Sequence, residues 1–255
     1  MTAPVPLPRA FLCPIAHRGL RNAAAGIIEN TAGAFKAAIA NGYGIECDLR
    51  PASGGLPIVF HDETLDRLTA STGPVRALTS ASLAEARHKV SGEPILTFAG
   101  LLELVAGRVP LLVEIKSEWD PPVLPFLEQI ARLARTYSGP LALMSFDPEV
   151  VSVLTMLAPA IPRGLVSGSY VSTSGAHWWA DRLSPERRAH LRDLADLAAT
   201  GSSFIAYEVA PLPTPATIAA RAHGLPVLTW TVCAPADLAA ARAHADAPIF
   251  EGFRP

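Results

Sequence analysis

Eight ionisable side chains stand beside short apolar runs. The stretch "IECDLRPASGGLPIVFHD", residues 45–62, carries Glu46, Asp48, His61 and Asp62 around a glycine pair. "AHRG" (16–19) carries His17 and Arg18, and "LLVEIKS" (111–117) carries Glu114 and Lys116. Charge this close to a core is unfavourable unless it is paired, bound to a metal, or used. Three carboxylates without a cysteine or histidine cluster suit a hard divalent cation, Mg²⁺ or Ca²⁺. Two histidines suit general acid–base work near neutral pH. Arg18 and Lys116 suit an anionic ligand, and arginine grips phosphate oxygens bidentately. Together these groups describe phosphoryl transfer.

Such residues must be brought together by the elements around them. Eight short β-rich runs recur, at 13–17, 44–48, 57–61, 111–115, 141–146, 163–166, 204–209 and 227–232. Helical patterns lie between most of them. Asn30 is predicted to cap a helix ending at Gly42, and Thr97 to cap one ending near Gly107. Asp120-Pro121, Asp147-Pro148, Ser184-Pro185 and Thr214-Pro215 read as further helix starts. This alternation predicts one (β/α)₈ TIM-barrel domain over residues 1–255. A doubly wound sheet is the second choice, because no Gly-rich phosphate turn follows a strand. No helix fits between Asp48 and His61, so "SGG" (53–55) reads as a hairpin turn. A centre between Gly54 and Gly55 predicts Asp48 opposite His61, with Cβ atoms about 5 Å apart. Asp48 and His61 should then face one cavity, closed by His17, Arg18, Glu114 and Lys116. Residues 63–95 read as a loop-rich insertion over one end of the barrel.

Composition narrows the partners. Lys plus Arg total 21 against 23 for Asp plus Glu, which gives no field for gripping nucleic acid or an anionic membrane. Half of the residues (50%) are hydrophobic and 17% are charged, so a sizeable core is expected. The 3 cysteines are scattered, with no CxxC motif, and read as buried apolar residues in a reducing cell. Cys47, between Glu46 and Asp48, should point away from them. No signal peptide or membrane-spanning run is apparent, so a cytoplasmic protein with a small-molecule substrate is expected.

"AHRG", "ENTAGAF" (29–35), "IECDL" (45–49), "IVFHDETLDRLT" (58–69), "LLVEIKS", "MSFDP" (144–148) and "VLTWTV" (227–232) run in the order and approximate spacing of one family. In these motifs the chain resembles the glycerophosphodiester phosphodiesterases, over nearly its whole length. The resemblance implies a TIM barrel with a divalent cation on Glu46, Asp48 and Glu114. It implies acid–base roles for His17 and His61, and phosphate contacts for Arg18 and Lys116. It also implies that Trp230 lines the substrate pocket. The implied substrate is a glycerophosphodiester. One histidine deprotonates the glycerol hydroxyl, that oxygen attacks phosphorus, and the other histidine protonates the departing alcohol. Water then opens the cyclic phosphate to glycerol 3-phosphate.

The chain departs from the family pattern at Ile28, at "SGG", at Cys233 and at Glu251, where proline, an acidic turn, asparagine and aspartate are usual. These departures leave the alcohol moiety open. Two other functions fit the residues. One is a related barrel phosphodiesterase acting on sphingolipid or inositol lipid headgroups. The other is a non-catalytic barrel that binds phosphate ligands, although binding alone does not require two histidines. Asp62 either orients the site or begins the next loop. Trp178 and Trp179 either form a lid or pack on the outer helices.

Overall fold

The computed structural model describes residues 4–171, 179 and 182–255. Eight parallel strands close into a barrel: β1 (Ile15–Ala16), β2 (Gly44–Pro51), β4 (Leu111–Ile115), β5 (Leu141–Ser145), β6 (Arg163–Ser167), β7 (Phe204–Glu208), β8 (Val227–Val232) and β9 (Ala247–Phe250). β1 pairs with both β2 and β9, which closes the ring. The short β3 (Pro57–Val59) lies outside it, antiparallel to the end of β2. The fold is thus the expected (β/α)₈ barrel, but the strands differ from the expected eight runs. The third run is the hairpin strand. The eighth barrel strand is "APIF" (247–250), whose four residues and internal proline carry little strand signal.

The hairpin register is one residue from the expected one. Leu49 faces Val59 and Arg50 faces Ile58. The Phe60 N–H donates to Asp48 O, so Phe60, not His61, lies opposite Asp48. The loop is three residues centred on Gly54, with Gly54 and Gly55 both left-handed at φ 70° and 75°. A Cβ on Gly55 would stand 2.8 Å from the Phe126 backbone nitrogen, so only glycine allows that approach.

Three of the four expected capping pairs start helices: α5 (Pro148–Leu157), α6 (Pro185–Arg192) and α8 (Pro215–Ala222). The fourth does not. α4 (Leu124–Thr136) starts beyond Asp120, because Pro122 steers Pro121 away from helical angles. Thr97 caps α3 (Phe98–Val105) as expected. Thr31 rather than Asn30 caps α1 (Ala32–Ala40).

Side-chain alternation sorts the strands into two layers. Cys47, Leu49, Val113, Ile115 and Leu143 face the helices. Leu112, Ala142, Met144, Phe204 and Leu228 fill the barrel, whose floor is sealed by Leu7 and Phe11 from the N-terminal segment. A separate cluster lies under the insertion. Leu65, Val75, Leu78, Leu83, Ala86 and Ile95 pack on Ala52, Ile58 and Phe60 of the hairpin. Glu93 ties this unit to the barrel by accepting the Gly33 N–H at the start of α1.

His88 is buried in this unit, stacked 6.1 Å from Phe60. Neither ring nitrogen has a hydrogen-bond partner among the described residues. Burial holds its pKa below the usual value, against the pull of Glu93 and Glu29. Below about pH 6.5 the unfolded chain then binds the extra proton more readily, so stability falls with pH there. The denaturation midpoint should be lower at about pH 5.5 than at about pH 7.5. His88→Phe should remove part of that difference; an unchanged difference would discard this source.

Candidate active site

The C-terminal ends of β1, β2 and β4 carry the charged residues, the functional end of such a barrel. On β2, Glu46 and Asp48 point inward on either side of outward Cys47. β4 runs beside it with Glu114 in register with Asp48. Carboxylate oxygens of Glu46, Asp48 and Glu114 lie within 4.8 Å of one another, and all three residues are buried. Lys116 sits two residues beyond Glu114. Its Nζ stands 2.5 Å from Glu114 Oε1 and 2.9 Å from Asp48 Oδ1.

β1 delivers His17 and Arg18 to the same cluster. His17 Nε2 is 3.9 Å from Glu46 Oε2. The Arg18 backbone N–H donates to Glu46 Oε2 at 2.9 Å. Arg18 Nε lies 3.4 Å from Asp48 Oδ2, and its Nη1 donates to Glu29 at 2.8 Å. Arg18 holds a left-handed backbone at φ 56°, and Gly19 follows at φ 80°. A side chain on Gly19 would meet Ala34 Cβ at 2.9 Å, so the turn that aims Arg18 needs glycine there. Asn30 braces Asp48 from both sides. Its amide donates to Asp48 Oδ2 at 2.8 Å, and its carbonyl accepts the Asp48 N–H.

Each histidine has Nδ1 on a carboxylate. His17 Nδ1 lies 2.7 Å from Glu251 Oε2, and His61 Nδ1 lies 2.9 Å from Asp62 Oδ1. Each carboxylate also holds an arginine: Arg21 on Glu251 at 2.6 Å and Arg67 on Asp62 at 2.6 Å. Glu29 joins the two sides. It meets Arg67 at 2.7 Å, Arg21 at 3.5 Å, and Arg18. The bond from His17, with Arg21 and Arg18 nearby, draws the Glu251 carboxyl down to about 2. Burial would raise Asp62, but His61 and Arg67 hold it well below the carboxylate range.

His61 reaches the site by leaving the strand after Val59 rather than by strand pairing. Its carbonyl accepts from Arg50 Nε at 2.6 Å. His61, Glu114, Lys116, Arg50 and Phe146 line a cavity of about 260 Å³. His17, Arg18, Glu46 and Asp48 do not line that cavity; they join it through the carboxylate cluster. The single cavity expected for Asp48, His61, His17, Arg18, Glu114 and Lys116 is therefore a cavity backed by a buried cluster. Trp230 stands apart, on a second cavity of about 180 Å³, with Nε1 donating to Ala206 O. Trp178 lies outside the described residues. Trp179 packs on Leu183 and Leu191, at the outer helix α6.

The cluster fits a cation. Burial, then repulsion from Asp48 and Glu114, pushes the Glu46 carboxyl well above the usual range. Glu46 Oε1 is buried with no hydrogen-bond partner among the described residues. Asp48 is the opposite case. Burial would raise it, but Lys116, Arg18 and His61 outweigh that and hold it well down. Protein cations thus neutralise Asp48, and Glu46 is left for a ligand that the protein does not supply. Hard oxygen donors of this kind suit Mg²⁺ or Ca²⁺.

Sequence reading missed four groups here: Arg50, Glu251, Arg67 and the bracing role of Asn30. Arg50 had a signal, since period two puts it on the face of Glu46 and Asp48. Glu251 had one as well, since the family pattern has an acid there, but the strand before it was not recognised and its contact with His17 was not expected.

A family model described as "Glycerophosphoryl diester phosphodiesterase family" matches residues 17–248. The glycerophosphodiester phosphodiesterase of Caldanaerobacter subterraneus subsp. tengcongensis is 37% identical over 162 residues, 60% of this chain and 65% of that protein. Glycerophosphodiester phosphodiesterase 1 of Homo sapiens is 29% identical over 154 residues, 56% of this chain and 45% of that protein. The chain thus spans about half the length of that relative and of its Rattus norvegicus counterpart. A solved Oleispira antarctica phosphodiesterase, in complex with the product sn-glycerol-3-phosphate, shares the fold with a TM-score of 0.71. It is 21% identical, covering 92% of this chain and 91% of that one. With a match that runs from His17 through every strand-end motif to Pro248, the chain belongs to the glycerophosphoryl diester phosphodiesterase family.

Proposed function

We propose that the protein hydrolyses glycerophosphodiesters to an alcohol and glycerol phosphate, with a divalent cation and histidine acid–base catalysis. The observation that carries this reading is the pair of carboxylate-held histidines, one beside Glu46 and the other on the cavity of Glu114 and Lys116. Nδ1 is engaged on each ring, which leaves Nε2 to take or give a proton. One histidine accepts the proton of the glycerol hydroxyl beside the phosphoester. That oxygen attacks phosphorus, and the other histidine protonates the leaving alcohol. In the second half-reaction they exchange roles, and water opens the cyclic phosphate. Arg18 and Lys116 hold the phosphoryl oxygens as charge develops. Glu46, Asp48 and Glu114 would hold the cation, Mg²⁺ or Ca²⁺, which supplies charge stabilisation at the phosphoryl group. The expected product is the one held by the Oleispira antarctica protein, sn-glycerol-3-phosphate.

The family match favours a small diester substrate over an embedded lipid. The test is a panel of glycerophosphodiesters incubated with Mg²⁺-loaded and Ca²⁺-loaded protein and followed by phosphorus NMR. A monoester product is expected. A panel left intact with both metals would overturn the reading.

A further inference from the structure

Two arginines are buried among the described residues, and their donors are used differently. Arg163 is surrounded by acceptors: Nε donates to Thr155 Oγ1 at 2.7 Å and Nη1 to Ile161 O at 3.0 Å. Arg50, 8% exposed, places only Nε, on the His61 carbonyl at 2.6 Å. Its Nη2 stands 3.9 Å from Glu63 and its Nη1 4.0 Å from Glu118, both beyond hydrogen-bond length. Neither Nη has a hydrogen-bond acceptor among the described residues. A buried guanidinium is normally tolerated because carboxylates or carbonyls take up its donors. Here burial draws its pKa down, and Glu63 and Asp48 oppose that only from a distance.

The chain sets where these donors lie. Period two puts Arg50 on the inward face of its strand, beyond Glu46 and Asp48. With His61, Glu114 and Lys116 it lines the cavity of about 260 Å³. Arg50 and Lys116 also wall an adjoining cavity of about 370 Å³, but His61 and Glu114 are not on that lining. An anion that must meet His61 therefore occupies the first. The other cations near it are already engaged. Lys116 Nζ is held between Glu114 and Asp48, and Arg182 Nη2 sits on Glu63 at 2.7 Å. Arg18 is not on the lining and turns Nη1 to Glu29. Among these four cations, Arg50 alone has no carboxylate within hydrogen-bond length. A phosphoryl group supplies what it lacks, oxygens spaced to match the guanidinium fork.

We infer that Arg50 is a further catalytic residue, whose Nη donors hold a non-bridging phosphoryl oxygen on the His61 side of the cavity. As a statement about turnover this rests on the activity proposed above; as a statement about anion binding it does not.

The experiment has two arms. In the first, sn-glycerol-3-phosphate is titrated into the Mg²⁺-loaded protein by calorimetry. Arg50→Gln should weaken its binding by about 10–100-fold, the effect of losing charge-assisted hydrogen bonds. Arg50→Lys keeps the charge but loses the fork, so it should fall between, at least about 3-fold weaker than wild type. Arg76→Gln removes an exposed cation that lines only the adjoining cavity, and should change the affinity by less than about 2-fold. Arg50 also holds the backbone of His61, so contact must be separated from positioning. In His61→Ala protein, Arg50→Gln should weaken the ligand by the same factor as in wild type. An affinity that Arg50→Gln leaves unchanged, or a loss that disappears with the His61 side chain, overturns the inference. Should Arg50→Gln unfold, read by circular dichroism, Arg50→Lys decides through the same two comparisons. No binding by the wild-type protein overturns the inference together with the phosphate reading of the cavity. In the second arm, kcat/KM for a glycerophosphodiester should fall by about 10–100-fold in Arg50→Gln. Turnover unchanged in that variant overturns the inference and leaves the proposed activity standing. If no diester is cleaved by wild type, the proposed activity fails and the first arm alone judges Arg50.

Discussion

His17→Ala and His61→Ala are each expected to lower kcat/KM for a glycerophosphodiester by about 10²–10⁴-fold, while the fold survives. The size follows from the loss of one proton acceptor or donor at a reacting oxygen. Survival follows from the arginines. When His17 is removed, Glu251 keeps Arg21; when His61 is removed, Asp62 keeps Arg67. Neither carboxylate becomes a lone charge, so the loss in stability should stay near that of a surface pair, about 0–1 kcal/mol. The double variant should be little worse than either single one, because the two groups act in one proton relay. Steady-state kinetics with a parallel denaturant titration measures both quantities. Full activity in either variant would sink the acid–base assignment.

The second large effect concerns the carboxylate cluster and is read without turnover. Adding Mg²⁺ or Ca²⁺ at about 100 times its Kd should stabilise the native protein by about 2.7 kcal/mol, which raises Tm by roughly 5–10 °C. EDTA should reverse the rise and remove activity. In Glu46→Gln the rise should nearly vanish. Without metal, the same variant should be at least as stable as the wild type, because it lacks the carboxyl that burial, Asp48 and Glu114 disfavour. Differential scanning calorimetry of both proteins with and without metal decides the matter. A metal-induced rise in Glu46→Gln as large as the wild-type one would place the ion elsewhere.

The residues that converge on the site were readable in the sequence because they obey the period of a strand. Glu46 and Asp48 on one strand, and Glu114 and Lys116 on another, must each share a face. The barrel then brings those faces together. What could not be read depends on contacts between distant segments. Asn30 has the composition of a helix cap, yet Thr31 takes that place and frees the amide for Asp48. The hairpin register turned on whether two glycines or three loop residues made the turn, and local sequence does not separate those cases. Glu251 meets His17 across 234 positions of chain, a pairing that only the closed barrel creates. Asp62 was legible as a neighbour of His61 but not as a partner of Arg67, which the insertion brings to it.

The insertion has a consequence for how the molecule loses function. His17 stands on a barrel strand. His61 follows a hairpin whose Ile58 and Phe60 belong to the small cluster of residues 65–95. The two histidines proposed to relay the proton are therefore mounted on different packing units. Small units with few apolar contacts open at lower free energy than the core they rest on. An excursion of the insertion would withdraw His61, Asp62 and Arg67 and leave the barrel, His17 and the three carboxylates standing. Such a state would still be folded over most of its length and would keep the carboxylates proposed to hold metal, but it would lack one of the two proposed proton-transfer groups.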